Sequence, residues 1–74
     1  DEYLNGQFCY VNKDYDCAIS KGNSVLNEMG AKTKPRVYKL LAYSYFDKGD
    51  YPNALKSLND YFTKEKKRNR IRIT

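Results

Sequence analysis

The sequence contains no histidine among its 74 residues. Zinc sites that use histidine and histidine-based general acid–base catalysis are therefore excluded. No glycine-rich phosphate loop occurs, and no pair of carboxylates stands alone on an apolar face. These absences argue against an enzyme, and they give no reason to expect a cofactor or a metal.

Long apolar runs are also missing. The most apolar stretch lies between Val37 and Phe46, is interrupted by Lys39, and is far shorter than the roughly 20 residues that a membrane-spanning helix needs. We therefore expect no membrane span in this segment. No charged-then-apolar leader follows Asp1, and we interpret the chain as a piece of a longer protein. Its general character, rather than any motif, suggests a bacterial, exported protein.

Cysteine is rare, and the two that occur are Cys9 and Cys17, with a predicted turn between them. A disulfide requires Cα atoms within about 7 Å of each other and suitably directed Cβ atoms. Cys17 falls on the predicted outer side of its helix, whereas Cys9 points inward. We therefore expect two free thiols rather than a disulfide, and two thiols alone do not make a metal site.

The net charge of +5 belongs to the carboxyl-terminal tail. Residues 1–62 carry eight basic and eight acidic residues, whereas residues 63–74 carry Glu65 and six basic residues. These are Lys64, Lys66, Lys67, Arg68, Arg70 and Arg72. Polyanion binding by this tail is one interpretation. Cations at the end of a helix also complement its dipole, and no aromatic side chain is interleaved to stack on bases, so nucleic-acid binding is not expected.

An internal repeat is the main feature that the sequence does contain. Asp14-Tyr15-x-x-Ala18 returns as Asp50-Tyr51-x-x-Ala54, at an offset of 50 − 14 = 36 residues. Self-similarity at a period of roughly 20–50 residues is typical of repeat arrays. Because such arrays usually work through an extended surface, we expect a binding groove rather than an active site.

Apolar spacings of three and four predict four helices, over residues 2–12, 15–29, 35–48 and 51–66. They pair as two antiparallel hairpins. The alternation of arginine and isoleucine over residues 70–73 predicts an extended linker after the last helix.

Residues with special backbone preferences stand at the predicted helix ends. Asp14 and Asp50 are placed to cap the second and fourth helices. Pro35 and Pro52 lie in first turns, where a missing N–H costs nothing, and Gly49 suits a left-handed helix exit.

Small residues interrupt the apolar pattern where two helices cross. In the first helix, Gly6 accompanies Leu4, Cys9 and Tyr10 on the predicted packing face. Glycine inside a helix costs about 1 kcal/mol relative to alanine, so a packing role explains its presence. We predict that Gly6 meets Ala18 and that Ala42 meets Ala54 in two close crossings.

The second repeat has the sequence Tyr38-x-x-Leu41-Ala42-x-x-Tyr45, followed by Gly49-x-Tyr51-x-x-Ala54-x-x-x-Leu58. This segment resembles the tetratricopeptide repeat (TPR), whose first helix carries aromatic, Leu, small and Tyr positions and whose second follows with Gly, aromatic, Ala and a large apolar residue. The first repeat departs from this pattern at Asn5, Cys9, Lys13 and Gly22.

The resemblance implies an all-α fold of two antiparallel helix-turn-helix hairpins, stacked as a fragment of a TPR-like α-α superhelix. The repeats would cover about 1–32 and 35–66 within a domain of residues 1–66, followed by a basic linker or the start of a further element at 67–74. Packing roles would fall on Gly6, Tyr15, Ala18, Tyr38, Leu41, Ala42, Tyr45, Gly49, Tyr51, Ala54 and Leu58.

The resemblance also implies a function as a scaffold that binds a peptide or partner protein on its concave face. The partner-binding positions would be Tyr3, Gln7, Tyr10, Lys39, Tyr43 and Phe46. Exposed aromatic residues suit partner binding because they offer large contact areas at little rotamer cost. The same aromatics would also suit packing against a neighbouring repeat, in a structural spacer or through self-association of an unpaired face.

One subset of the family clamps the carboxyl-terminal carboxylate of its partners with a set of Lys, Arg and Asn residues. Arg36 and Lys39 are basic on the equivalent helix, but the asparagines are absent and Leu40 occupies one of the basic positions. We therefore do not expect this clamp.

Overall fold

The computed structural model describes the backbone of residues 2–73 and the side chains of residues 2–66. Over this range the fold is all-α, with helices α1, α2, α3 and α4 and one short 3₁₀ helix between α2 and α3. Their bounds are Glu2–Val11 (α1), Tyr15–Met29 (α2), Gly30–Lys32 (3₁₀), Pro35–Lys48 (α3) and Tyr51–Ile73 (α4).

Each helix packs against the next one along the chain, and α1 also contacts α3. Lys48 at the end of α3 forms an ion pair with Asp16 at the start of α2, so these two helices run antiparallel. Tyr10 near the end of α1 donates a hydrogen bond to Asp47 near the end of α3, so α1 and α3 run in the same direction. A groove between two parallel helices follows from this order.

The turns after α1 and after α3 share one backbone geometry. The N–H groups of Lys13 and Gly49 donate three residues back, at 2.9 and 3.0 Å, and those of Asp14 and Asp50 donate five residues back, both at 2.8 Å. Lys13 and Gly49 are left-handed, with φ of 64° and 96°. This is the Schellman arrangement of a helix end. The sequence repeat is therefore also a repeat of backbone hydrogen bonds.

The predicted cap at Asp14 is confirmed, and Asp50 and Pro35 stand at the predicted helix starts. The carboxylate of Asp14 accepts a hydrogen bond from the backbone N–H of Cys17 at 3.3 Å, as a cap of α2 should. Asp50 directly precedes α4, and its carboxylate accepts from the side-chain amide of Asn53 at 2.7 Å. Pro35 lies in the first turn of α3.

The core is centred on α3, which supplies most of the buried apolar side chains among the described residues. Leu41, 1% exposed, is one of the two largest fully buried side chains among the described residues. It packs directly on Gly22, where an added Cβ would lie only 2.6 Å from Leu41 Cδ2. Gly22 stands where the second repeat has Leu58, so this departure from the repeat pattern is what allows α3 to approach α2 closely.

Replacing Gly22 with alanine tests this contact. The added methyl would clash with Leu41, and overpacking of this kind costs about 1–3 kcal/mol. The gain in helix propensity offsets at most about 1 kcal/mol. We expect Gly22→Ala to lower the free energy of unfolding in urea, whereas Ser24→Ala, on an exposed position of the same helix, leaves it nearly unchanged. Equal stability of Gly22→Ala and the parent chain would contradict the close approach.

Helix α4 is longer than predicted and continues to Ile73, so the prediction of an extended segment at residues 70–73 was wrong. After Pro52 the helix contains neither glycine nor proline. Within the described part of the chain, no helix has the length and apolar character needed to cross a membrane.

The two cysteines are paired, so the prediction of free thiols was wrong. Cys9 and Cys17 form a disulfide with their Cα atoms 5.7 Å apart. The left-handed turn at Lys13 brings the last turn of α1 beside the first turn of α2. Both cysteines therefore lie where the two helices meet, and both are half-buried.

Candidate binding groove

Five of the six residues predicted to bind a partner line a single groove between α1 and α3. The groove has a volume of about 540 Å³. These five residues are Tyr3, Gln7, Tyr10, Lys39 and Tyr43. The parallel course of α1 and α3 brings them together, because every contributing position faces the same side of the two helices.

Phe46 lies outside this groove. Its ring packs beside that of Tyr51, with centroids 5.5 Å apart, in a separate apolar depression between α3 and α4. It follows Tyr43 by three residues on α3, which turns it from α1 toward α4. The groove and the depression share Tyr43 at their boundary.

A row of exposed apolar residues on α1, absent from the predicted partner-binding residues, also lines the groove. Leu4, Phe8 and Val11 are 50%, 68% and 74% exposed. Their spacings of four and three place them on one strip of the helix. The spacing is visible in the sequence, but the prediction that Leu4 packs inward with Gly6 was wrong, because Leu4 is 50% exposed.

The exposure of this row follows from how α1 is held. Gly6 is the buried residue of α1. A Cβ added there would lie 3.0 Å from Leu40 Cδ2 and 3.3 Å from Lys21 Cβ. Leu4 and Phe8 each stand two residues from Gly6, which places them about 160–200° away around the helix. They therefore lie on the face of α1 opposite to this close contact and remain exposed.

Two cations stand at the amino-terminal end of α3, each over an aromatic ring of the groove. The guanidinium carbon of Arg36 lies 4.9 Å from the centroid of Tyr3, and Lys39 Nζ lies 5.8 Å from that of Tyr43. These distances suit cation–π contacts. They place Arg36 beside Tyr3 at one end of the groove and Lys39 farther along it, beside Tyr43, and both cations are exposed.

The opposite end of the groove is held by Tyr10. Its ring lies 5.8 Å from that of Tyr15 and 6.5 Å from that of Tyr43, and its hydroxyl donates to the Asp47 carboxylate. That hydrogen bond, with burial and the carboxylate charge, raises the pKa of Tyr10 to about 12. The neutral phenol thus stabilises the link between α1 and α3 below pH ~10, and this contribution is lost as the pH rises toward about 12.

Titration of the tyrosines checks this link. The difference between the near-ultraviolet absorbance curves of the parent chain and Tyr10→Phe should isolate one phenol with a pKa of about 12. In an Asp47→Asn background the same difference should move down toward the ordinary value of about 10, because the accepting charge is gone. A Tyr10 pKa that is ordinary in the parent chain, or insensitive to Asp47→Asn, would contradict the contact.

The basic tail contributes little that can be placed beside the groove. Lys64 donates a hydrogen bond to the backbone carbonyl of Ala31 at 2.6 Å, which ties α4 to the 3₁₀ helix. Lys67, Arg68, Arg70 and Arg72 lie beyond the described side chains. Polyanion binding by the tail therefore stays a prediction from the sequence.

Comparison of the chain with models of known protein families, with curated proteins and with solved structures finds no match. Its function is therefore inferred from its own residues. The groove combines exposed apolar side chains, aromatic rings and two cations, a composition suited to holding a polypeptide segment.

Proposed function

We propose that this chain is a protein–protein interaction module that binds a peptide segment of a partner protein in the groove between α1 and α3. Its two hairpins would stack as TPR-like repeats, and it would act by binding rather than catalysis. The disulfide suits a protein that works in an oxidising compartment.

The observation that carries the proposal is the exposed row of Leu4, Phe8 and Val11 beside Tyr43 in one groove. Single exposed apolar residues need no explanation, but a contiguous apolar surface rimmed by polar groups is typical of interaction sites. Phenylalanine and tyrosine supply much contact area for few rotatable bonds.

The groove also suggests the chemistry of the partner. The row of Leu4, Phe8 and Val11, with spacings of four and three residues, suits a partner that is an amphipathic helix, because the apolar residues of such a helix recur at the same spacings. Arg36 lies at one end of the groove, Lys39 lies farther along it, and the carboxylate of Asp47 lies at the other end. This order favours a segment with acidic residues toward the Arg36 end. Since residues 1–62 carry no net charge, this preference would come from local placement.

A second candidate function is a structural spacer, and a second apolar surface favours it. Exposed Tyr51, Leu55 and Phe62 on α4 lie along the outer face of the second hairpin. The apolar depression of about 450 Å³ between α3 and α4 would accept a helix of a further repeat or of a second copy. In this case both apolar surfaces would serve stacking, and no separate peptide would be bound.

Peptide selection separates the two functions. Random peptides displayed on phage and selected on the oxidised 74-residue chain should enrich binders whose amide chemical-shift changes map to α1 and α3. Phe8→Ala and Tyr43→Ala should each weaken a selected peptide by about tenfold or more, the loss expected of a central contact. Fluorescence anisotropy of the labelled peptide measures this.

Phe62→Ala is the matched control, because Phe62 is 59% exposed on α4, away from the groove. It should change the affinity by less than about twofold. Failure to enrich any peptide, or an equal loss in Phe62→Ala, would contradict groove binding. Sedimentation showing stacked copies that dissociate in Leu55→Ala would then support the spacer.

A further inference from the structure

Helix α1 buries very little of itself, although it forms one wall of the groove. Gly6 is its buried residue, whereas α3 buries Val37, Leu40, Leu41, Ala42 and Ser44. Helix α1 is also only 10 residues long. Isolated helices shorter than about 12–15 residues are marginal in water, so α1 depends on its attachments.

The side-chain ion pair, hydrogen bond and cation–π contact that hold α1 to its neighbours lie at the surface. Glu2 and Lys21 form an ion pair at 3.7 Å with side chains 40% and 37% exposed, and exposed pairs contribute little. Tyr10 adds its hydrogen bond to Asp47 and its ring contacts. The contact of Gly6 with Leu40 supplies close packing without a large apolar side chain.

The disulfide is the covalent attachment, and it lies where the second hairpin uses packing instead. At the repeat offset of 36 residues, Cys9 and Cys17 correspond to Tyr45 and Asn53 of the second hairpin. The half-buried side chain of Tyr45 is far larger than a cysteine, so it can hold the second hairpin by packing. A disulfide that closes a loop of about nine residues typically raises the free energy of unfolding by as much as several surface contacts do together. The first hairpin therefore depends on its bridge in a way that the second does not.

We propose that the Cys9–Cys17 disulfide is a redox switch that holds or releases the α1 wall of the groove. The inference adds regulation to the proposed function and rests on it for its biological meaning. A thiolate of a dithiol reductant attacks one sulfur and forms a mixed disulfide, and its second thiol then displaces that sulfur. The S–S bond of the protein is broken, both cysteines end as thiols with two added protons and electrons, and the reductant ends as its own disulfide.

Both sulfur-bearing residues are only half-buried, which leaves them within reach of a reductant. After reduction, α1 keeps the close contact of Gly6 with Leu40 and its surface contacts but loses its covalent attachment, so it opens more often. Tyr3, Gln7 and Phe8 then leave the groove. Helices α2 to α4 keep the Leu41–Gly22 contact and stay packed.

Hydrogen exchange followed residue by residue by NMR tests the switch on the whole 74-residue chain, without any partner. With dithiothreitol, amides in α1 should exchange at least about tenfold faster, whereas those in α3 should change by less than about twofold. Cys9→Ser/Cys17→Ser should show the fast α1 exchange with or without dithiothreitol. This control separates loss of the bridge from other effects of the reductant.

Unchanged α1 exchange on reduction would overturn the proposal, because the bridge would then not hold the helix. Equal acceleration in all four helices would overturn it as well, since the bridge would then stabilise the whole fold rather than one wall. A chain that shows the selective release but enriches no peptides would leave the switch standing and contradict the proposed function. A chain that binds peptides equally well when reduced would support the proposed function and contradict the switch.

Discussion

The contact between Leu41 and Gly22 is the constraint on which the rest of this structure depends. It joins two hairpins that otherwise have small separate cores, because it allows α3 to lie directly against α2. With α2 between them in sequence, α1 and α3 then run parallel and side by side. The groove is a consequence of this packing, since its walls come from different hairpins. A single glycine thus connects the stability of the fold with the geometry of its candidate site.

The two hairpins reach the same backbone geometry by different means. The second places Gly49 at the left-handed position, where glycine has no steric cost, whereas the first uses Lys13. A left-handed conformation costs a non-glycine residue about 1–2 kcal/mol. The first hairpin also lacks the counterpart of Tyr45 and has a disulfide there. Its intrinsic packing is weaker, and its turn is held covalently. This asymmetry explains why regulation would act on α1 and not on α4.

Local signals predicted much of the fold. The starts of α2, α3 and α4 follow from Asp14, Pro35 and Asp50, and the end of α3 follows from Gly49, because each acts within one helical turn. The end of α4 was missed, since no residue after Pro52 stops a helix and the alternation of residues 70–73 was given too much weight. The disulfide was missed because its geometry depends on the turn at Lys13, which the sequence does not mark with glycine.

The candidate site was predictable in position but not in composition. The resemblance to the tetratricopeptide repeat implied that Tyr3, Gln7, Tyr10, Lys39 and Tyr43 share one face, and these five residues line one groove. Whether an apolar residue is buried depends instead on how closely a neighbouring helix approaches. Phe8 and Val11 remain exposed because α1 packs through the face that bears Gly6, and these two residues lie on the other side of the helix. Only the packed structure reveals that outcome.

The central claim is that α1 and α3 lie side by side and form one groove in solution. The most direct measurement is a nuclear Overhauser spectrum of the oxidised chain with assigned aromatic and methyl groups. Cross-peaks should connect the rings of Tyr10 and Tyr43, whose centroids are 6.5 Å apart, and should connect Gly6 with the Leu40 methyl groups. Absence of both sets, while cross-peaks between Gly22 and Leu41 are present, would show that the hairpins pack without forming the groove.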